Sequence, residues 1–235
     1  MEILNYFVSL RQYFYSTILL MTTDNTSTPT PPDHVSTEER ILQAAEEEFL
    51  AKGFDGARTI AIAQRADVTH AMLHYYYRTK QKLFEIVVSE KLSDISEILF
   101  GIFGAEDVSF LERVKLGVER HFDFIASNPN LPLFLLMELN RNPERIKSVL
   151  TPNTEKAGKM LALLQREIDI NAAAGLCQPI DAMMLLSDIL SLNIMSVMGL
   201  PIIATLYDGV GQNAERFIAD RRKEVVKTIM TRLKP

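Results

Sequence analysis

From Ser36 onward, apolar residues recur three and four positions apart, and no stretch alternates Val, Ile and Thr around hairpin turns. A chain patterned in this way buries stripes of helix against one another, so the expected fold class is all-α. The first helix announces itself with Ser36-Thr37-Glu38-Glu39, a capping box in which the Ser36 hydroxyl and the Glu39 carboxylate each satisfy the other's backbone amide. Ile41, Leu42, Ala45, Phe49 and Leu50 then form one apolar stripe, and Gly53 stands where a left-handed cap belongs. Short helices are expected over Thr59 to Ala66 and His70 to Tyr77, with Asp67-Val68-Thr69 as the joint, followed by a long one from Thr79 towards Gly101. Asn128-Pro129, Asn142-Pro143 and Thr151-Pro152 each set a capping side chain before a proline. They divide the remainder into helices over Asp107 to Ser127, Pro129 to Asn140, Pro143 to Leu150, Pro152 to Ala174, Pro179 to Met198 and Val210 to Leu233.

The 235 residues, 47% hydrophobic and 23% charged, are enough for one large or two small domains and exclude a disordered chain. A net charge of −5 excludes attachment to nucleic acid or anionic lipid by bulk positive charge, so any such contact is local. One cysteine, Cys177, makes no internal disulfide and no Cys-rich metal site, which suits the reducing cytoplasm.

Two segments mimic membrane elements. Ile3 to Met21 is apolar, but Glu2 is the wrong sign for a secretory leader and Thr22-Thr23 offers no cleavage signal; translation from Met1 or from Met21 stays open. Thr22 to His34, with Pro29, Pro31 and Pro32, lacks any apolar period and reads as an arm, so residues 1–35 are taken as an extension. Ala182 to Leu206 carries only Asp188 as a charge, yet Ser187, Ser191, Asn193 and Ser196 would sit in lipid, and Gly199-Leu200-Pro201 interrupts the run. A buried helix is the expectation there, with no membrane partner.

Ile62, Ala63, Ala66, Val68, Leu73 and Tyr77 are placed to pack two short helices against the first, and the small Ala63 and Ala66 permit a close, steep crossing. His70, Ala71, His74 and Tyr75 then face outward from the second short helix, where a DNA major groove would meet them. His70 and His74 imitate a metal pair, but H-A-M-L-H lacks the glutamate of a metalloprotease helix and no third ligand is apparent. Paired catalytic carboxylates, a nucleophile elbow and a phosphate loop are likewise missing from the sequence, so the chain is expected to be no enzyme and to need no cofactor or metal.

The run F-D-G-A-R-T-I-A-I-A-Q-R-A-D-V-T-H-A-M-L-H-Y-Y-Y-R-T-K-Q-K-L-F, Phe54 to Phe84, resembles the DNA-binding domain of TetR-type bacterial repressors. The likeness is specific over about Ser36 to Glu90, strongest in I-A-x-x-A-x-V and L-H-Y-Y-Y-R-T-K. It implies a helix-turn-helix domain over residues 36–96, its motif at 58–77, and a helical ligand-binding and dimerisation domain over 97–235. It implies base reading by Thr69, His70, Ala71, Met72 and His74, and contacts to bases or backbone by Tyr75 and Tyr76. Lys80 matches the family's phosphate-binding lysine, and Thr59 is a second phosphate ligand. Asp67 stands where the turn usually has glycine, and Ile60 replaces a position that is often polar. Between Ser36 and Lys91 there are eight basic and nine acidic residues, so one domain alone binds DNA poorly and two are needed on successive turns.

By the same resemblance, the helices from Pro179 to Met198 and Val210 to Leu233 pair subunits as a four-helix bundle, with Met184, Leu185, Ile189, Leu192 and Met195 at the homodimer interface. The helices between Asp107 and Ala174 would enclose a small-molecule effector, lined by Phe103, His121, Phe124, Phe134, Met137, Asn140 and Met160. The expected whole is a cytoplasmic, ligand-responsive transcriptional repressor that binds a palindromic double-stranded operator.

Overall fold

The computed structural model describes residues 36–100 and 108–235. All its regular elements among those residues are α-helices: α1 (Thr37–Gly56), α2 (Thr59–Arg65), α3 (His70–Tyr77), α4 (Lys80–Phe100), α5 (Phe110–Ser127), α6 (Leu131–Arg141), α7 (Pro143–Ala173), α8 (Ala182–Met198), α9 (Leu200–Leu206), α10 (Asp208–Gly211) and α11 (Ala214–Leu233). By packing, residues 36–93 form one unit with Leu133–Pro152, and Asp94–Pro132 forms a second with Asn153–Pro235. The first unit thus takes in twenty residues from the middle of the segment assigned by sequence to the ligand-binding half.

In the first unit, Ser36 opens α1 with both bonds of the capping box: its amide donates to Glu39 Oε2 at 2.8 Å and its hydroxyl accepts from the Glu39 amide at 3.1 Å. Ile41, Ala45 and Phe49 from α1, Ile62 and Ala63 from α2, Leu73 and Tyr77 from α3, and Leu83 and Phe84 from α4 are all buried. Phe84 meets Phe49 edge-on at 5.2 Å and Phe54 edge-on at 5.1 Å, and Phe134 of α6 lies 5.9 Å from Phe84. Aromatic pairs at such separations each add about 1 kcal/mol beyond the area they bury. Gly53, with φ 68 and ψ 175, kinks α1 before its last turn. That backbone region is open to essentially no other residue.

The second unit packs α5, α8, α11 and the later part of α7 around Val118, Phe122, Ile125, Ile168, Leu185, Ile218, Val225, Ile229 and Leu233. No single helix among the described residues is long and apolar enough to cross a membrane; α8 and α9 pass that test only as a pair, bent by 49°. Leu185, Ile189, Asn193, Ser196 and Val197 of α8 are buried within the unit, as expected of an apolar helix in a protein core.

Some helix ends differ from those the prolines suggest. Pro152 lies inside α7, because Thr151 Oγ1 donates back to Lys147 O at 2.7 Å instead of capping a new helix. Asn128 likewise closes α5, donating to Phe124 O at 2.9 Å, while Asn142 Oδ1 accepts from the Arg145 amide at 3.2 Å and does cap α7. Asp181, not Pro179, starts α8 by accepting from the Met184 amide at 3.0 Å. The final helix is divided into α10 and α11, with α9 preceding them.

A Cβ at position 53 would stand 2.9 Å from Glu138 Oε1 and 3.1 Å from Arg141 Nη1. Gly53→Ala is therefore expected to destabilise the chain by about 1–3 kcal/mol, read as a fall in the urea midpoint. An unchanged midpoint would contradict the strained geometry at this corner.

Candidate nucleic-acid interface

The joint between α2 and α3 forms by local bonds. Asp67 takes φ 53, the left-handed conformation its short polar side chain tolerates, and the Val68 amide reaches Ala63 O at 3.0 Å. Thr69 then caps α3, its hydroxyl accepting from the Met72 amide at 3.2 Å. Leu73 and Tyr77 point into the core, which leaves His70, Ala71, Met72, His74, Tyr75 and Tyr76 exposed, with Tyr75 at 81%. Tyr77 donates to Glu38 O at 3.4 Å, and burial, reinforced by the charges of Glu38 and Glu90, raises its phenol far above the ordinary range. It is a core residue.

The outward face is ordered by its own contacts. Thr59 Oγ1 and His70 Nε2 lie 2.9 Å apart, the His70 and His74 rings meet edge-on at 4.4 Å, and Tyr75 meets Tyr76 edge-on at 5.6 Å. His74 Nδ1 lies 3.0 Å from Arg78 O; since a carbonyl only accepts, Nδ1 carries the hydrogen. In the neutral ring, Nε2 is then an acceptor.

Arg78, unforeseen from the sequence, has φ 57 and ψ −49, with the Thr79 amide donating to Tyr77 O at 2.6 Å. This is a γ-turn of the less favoured hand, costing roughly 1–3 kcal/mol for a residue with a Cβ. It turns the chain from α3 into α4, where Thr79 Oγ1 accepts from the Lys82 amide at 3.1 Å. Lys80 does not extend freely. Its ammonium donates to Ala57 O at 2.7 Å and, at the limit of bonding, to Asp55 O at 3.5 Å, 4.6 Å from the Phe54 ring centre. An ammonium has three N–H groups, so one remains for a phosphate.

Glu48 is another residue the sequence reading did not single out. It is wholly buried, with Oε1 2.7 Å from Lys52 Nζ and 3.4 Å from the Arg58 amide, and Oε2 3.5 Å from Arg65 Nη1. Burial by itself would raise its carboxyl, but the Lys52 and Arg58 hydrogen bonds and the two cations outweigh it and hold the group ionised below the usual range. Arg65 is thereby drawn towards α1, where it also meets Glu47.

The residues expected to line an effector site fall in both units. His121, Phe124 and Met160 belong to the second; Phe134, Met137 and Asn140 belong to the first, where Phe134 packs on Phe84, and Met137 and Asn140 are exposed. Phe103 lies outside the described residues. His121 is buried, and desolvation pushes its imidazole down to about 4. Asn193 Nδ2 donates to His121 Nδ1 at 2.9 Å and to Val118 O at 3.1 Å, engaging both its hydrogens. Asn193 Oδ1 is buried without a hydrogen-bond partner among the described residues. Of the expected dimer residues, Leu185 and Ile189 are buried in their own unit and Leu192 is half-buried, because they share the helix face that meets α5 and α11. Met184 and Met195 are 51% and 59% exposed.

Residues 41–87 match the family described as bacterial regulatory proteins, tetR family. The chain is 28% identical over 148 residues, covering 60% of it and 74% of the relative, to the Uncharacterized HTH-type transcriptional regulator YdgC of Bacillus subtilis. It is 31% identical over 106 residues, 45% of this chain and 51% of the other, to the HTH-type transcriptional repressor SCO4008 of Streptomyces coelicolor. The fold is similar to the crystal structure of a transcriptional regulator FadR from Bacillus subtilis in complex with stearoyl-CoA, with TM-score 0.58, 18% identity, and coverage of 83% of this chain and 98% of that one.

The buried imidazole makes a pH dependence. Below its ordinary value of 6.5 the unfolded chain takes up a proton that folded His121 refuses until about pH 4, so stability falls as pH drops through that window and is level above it. Urea unfolding at pH 5 is expected to give about 2 kcal/mol less stability from this group than at pH 7. His121→Gln should lose correspondingly less over the same interval; an equal loss would contradict the assignment.

Proposed function

We infer, for a chain that belongs to the TetR family of bacterial regulatory proteins, that α3 is the DNA-reading helix of a transcriptional repressor. The observation that carries the reading is the exposed face of His70, Ala71, Met72, His74, Tyr75 and Tyr76 on a helix anchored by only Leu73 and Tyr77. Aromatic and apolar side chains left in water on one short helix fit contact with base edges and thymine methyl groups. Thr69, at the amino end of α3, and the imidazoles supply hydrogen bonds in the groove. Thr59 and Tyr76 flank it as backbone contacts, and Lys80 presents its remaining N–H to a phosphate.

A near-neutral domain has little non-specific attraction for DNA, so affinity comes from two reading helices held by a homodimer on a palindromic operator. Met184 and Met195 on the exposed side of α8 suit that interface, continued by Ile202 and Leu206 of α9, 66% and 70% exposed. The effector is an apolar or amphipathic small molecule, and His121 with the Asn193 carbonyl, unpartnered among the described residues, marks its polar anchor in the second unit. Its binding favours a dimer in which the reading helices are respaced and the operator is released, which requires tighter binding to that state than to the DNA-bound one. Such a regulator works in the cytoplasm.

The test is a mobility shift with the DNA upstream of the chain's own gene. Tyr75→Ala is expected to weaken binding by about 1–3 kcal/mol and relax sequence preference. Lys80→Ala should weaken all sequences alike and lower the slope of log K against log salt by about 1. Full affinity in both variants would reject this face as the interface.

A further inference from the structure

The corner where α1 ends and α2 begins is held from outside the helix-turn-helix. Glu138 of α6 is buried; its Oε1 accepts from the Phe54 amide at 2.9 Å and its Oε2 from Arg145 Nη1 at 2.9 Å. Arg145 of α7 lies over the corner, its guanidinium carbon 3.7 Å from the Phe54 ring centre and its Nη2 3.6 Å from Asp55 Oδ1. The close seat of Glu138 exists because residue 53 has no Cβ.

What this corner carries next is the reading apparatus. Its carbonyls at Asp55 and Ala57 hold the Lys80 ammonium, and three residues beyond Gly56 stands Thr59, whose hydroxyl meets His70 of α3. Glu138 and Arg145 lie well outside the matched residues 41–87. They belong to the stretch Leu133–Pro152, which packs with the helix-turn-helix but is joined at both ends to chain of the other unit.

We propose that Glu138 and Arg145 are positioning residues for DNA recognition: clasping the Gly53–Ala57 corner, they set the start of α2 and the placement of Lys80 for its phosphate contact. The inference rests on α3 and Lys80 meeting DNA. A buried carboxylate that accepts one backbone amide and one guanidinium is directional, and removing it costs the Phe54 amide its acceptor and leaves the Arg145 guanidinium only Asp55 as a charged partner. The corner then relaxes, the Lys80 ammonium loses its two carbonyl supports, and a phosphate contact weakens while base reading by α3 remains.

The experiment uses the full chain and a duplex that the wild-type chain selects from a random-sequence pool. Affinity, corrected for active fraction, is measured across salt concentrations beside thermal stability. Glu138→Leu is expected to bind about tenfold more weakly, with a shallower salt slope and unchanged preference among single-base variants of the duplex. Adding Arg145→Leu removes the stranded guanidinium, so the double variant regains stability but not affinity or slope. Glu138→Gln, which keeps an acceptor for the Phe54 amide, should bind about threefold more weakly and serves should Glu138→Leu fail to fold. Wild-type affinity and slope in a folded Glu138→Gln or Glu138→Leu protein, or affinity returning together with stability in the double variant, would overturn the proposal. A wild-type chain that selects no duplex overturns instead the DNA-binding reading on which it rests.

Discussion

The ring of Phe84 is the hub of the first unit. Set edge-on against Phe49 and Phe54 and close to Phe134, it joins α4, both sides of the kink in α1, and α6 through contacts that water cannot replace. Because α1 is locked to α4, the short α2 and α3 have a fixed floor. Neither has the length to be stable by itself, and both owe their form to the few side chains they lower onto that floor. Exposure of the outward face of α3 follows from economy of anchoring: Leu73 and Tyr77 suffice.

Charge in this unit is arranged to organise backbone rather than to attract polyanions. Glu48 holds the Arg58 amide, Glu138 the Phe54 amide and Lys80 the carbonyls of Asp55 and Ala57, so three side chains converge on the five residues that lead into α2. With Lys52 and Arg65 paired to Glu48 and Arg145 to Glu138, much of the positive charge nearby is already committed. The unit's low net charge is thus compatible with specific recognition, since the groups that count are placed, not numerous.

Much of this was legible in residue order wherever the cause was local. The Ser36–Glu39 box, the left-handed Asp67 and the inward Leu73 and Tyr77 each depend on neighbours within a few positions, and each stands as read; the cap that Thr69 makes on Met72 is as local, but the family resemblance assigns that residue to base reading instead. Long-range pairings left no such trace. The Glu138 bond to the Phe54 amide joins residues 84 apart, and nothing around either one signals the other. Lys80 was legible as a lysine at the start of a helix, but not its fold back onto carbonyls. Pro152 misled because a helix already propagating through Thr151 tolerates the loss of one amide. On α8, apolar content marked a buried helix correctly, but composition could not apportion Leu185 and Ile189 to the core and Met184 and Met195 to the surface. That depends on which neighbours the face meets.

The γ-turn at Arg78 and the left-handed residue at Asp67 bracket α3 at both ends. Conformational cost is thereby concentrated in the two joints, while of the residues between them only Leu73 and Tyr77 are buried. For the proposed reading helix this makes content interchangeable: its six water-facing residues form a cassette that drift or selection can rewrite, one target sequence giving way to another, without the scaffold having to be rebuilt.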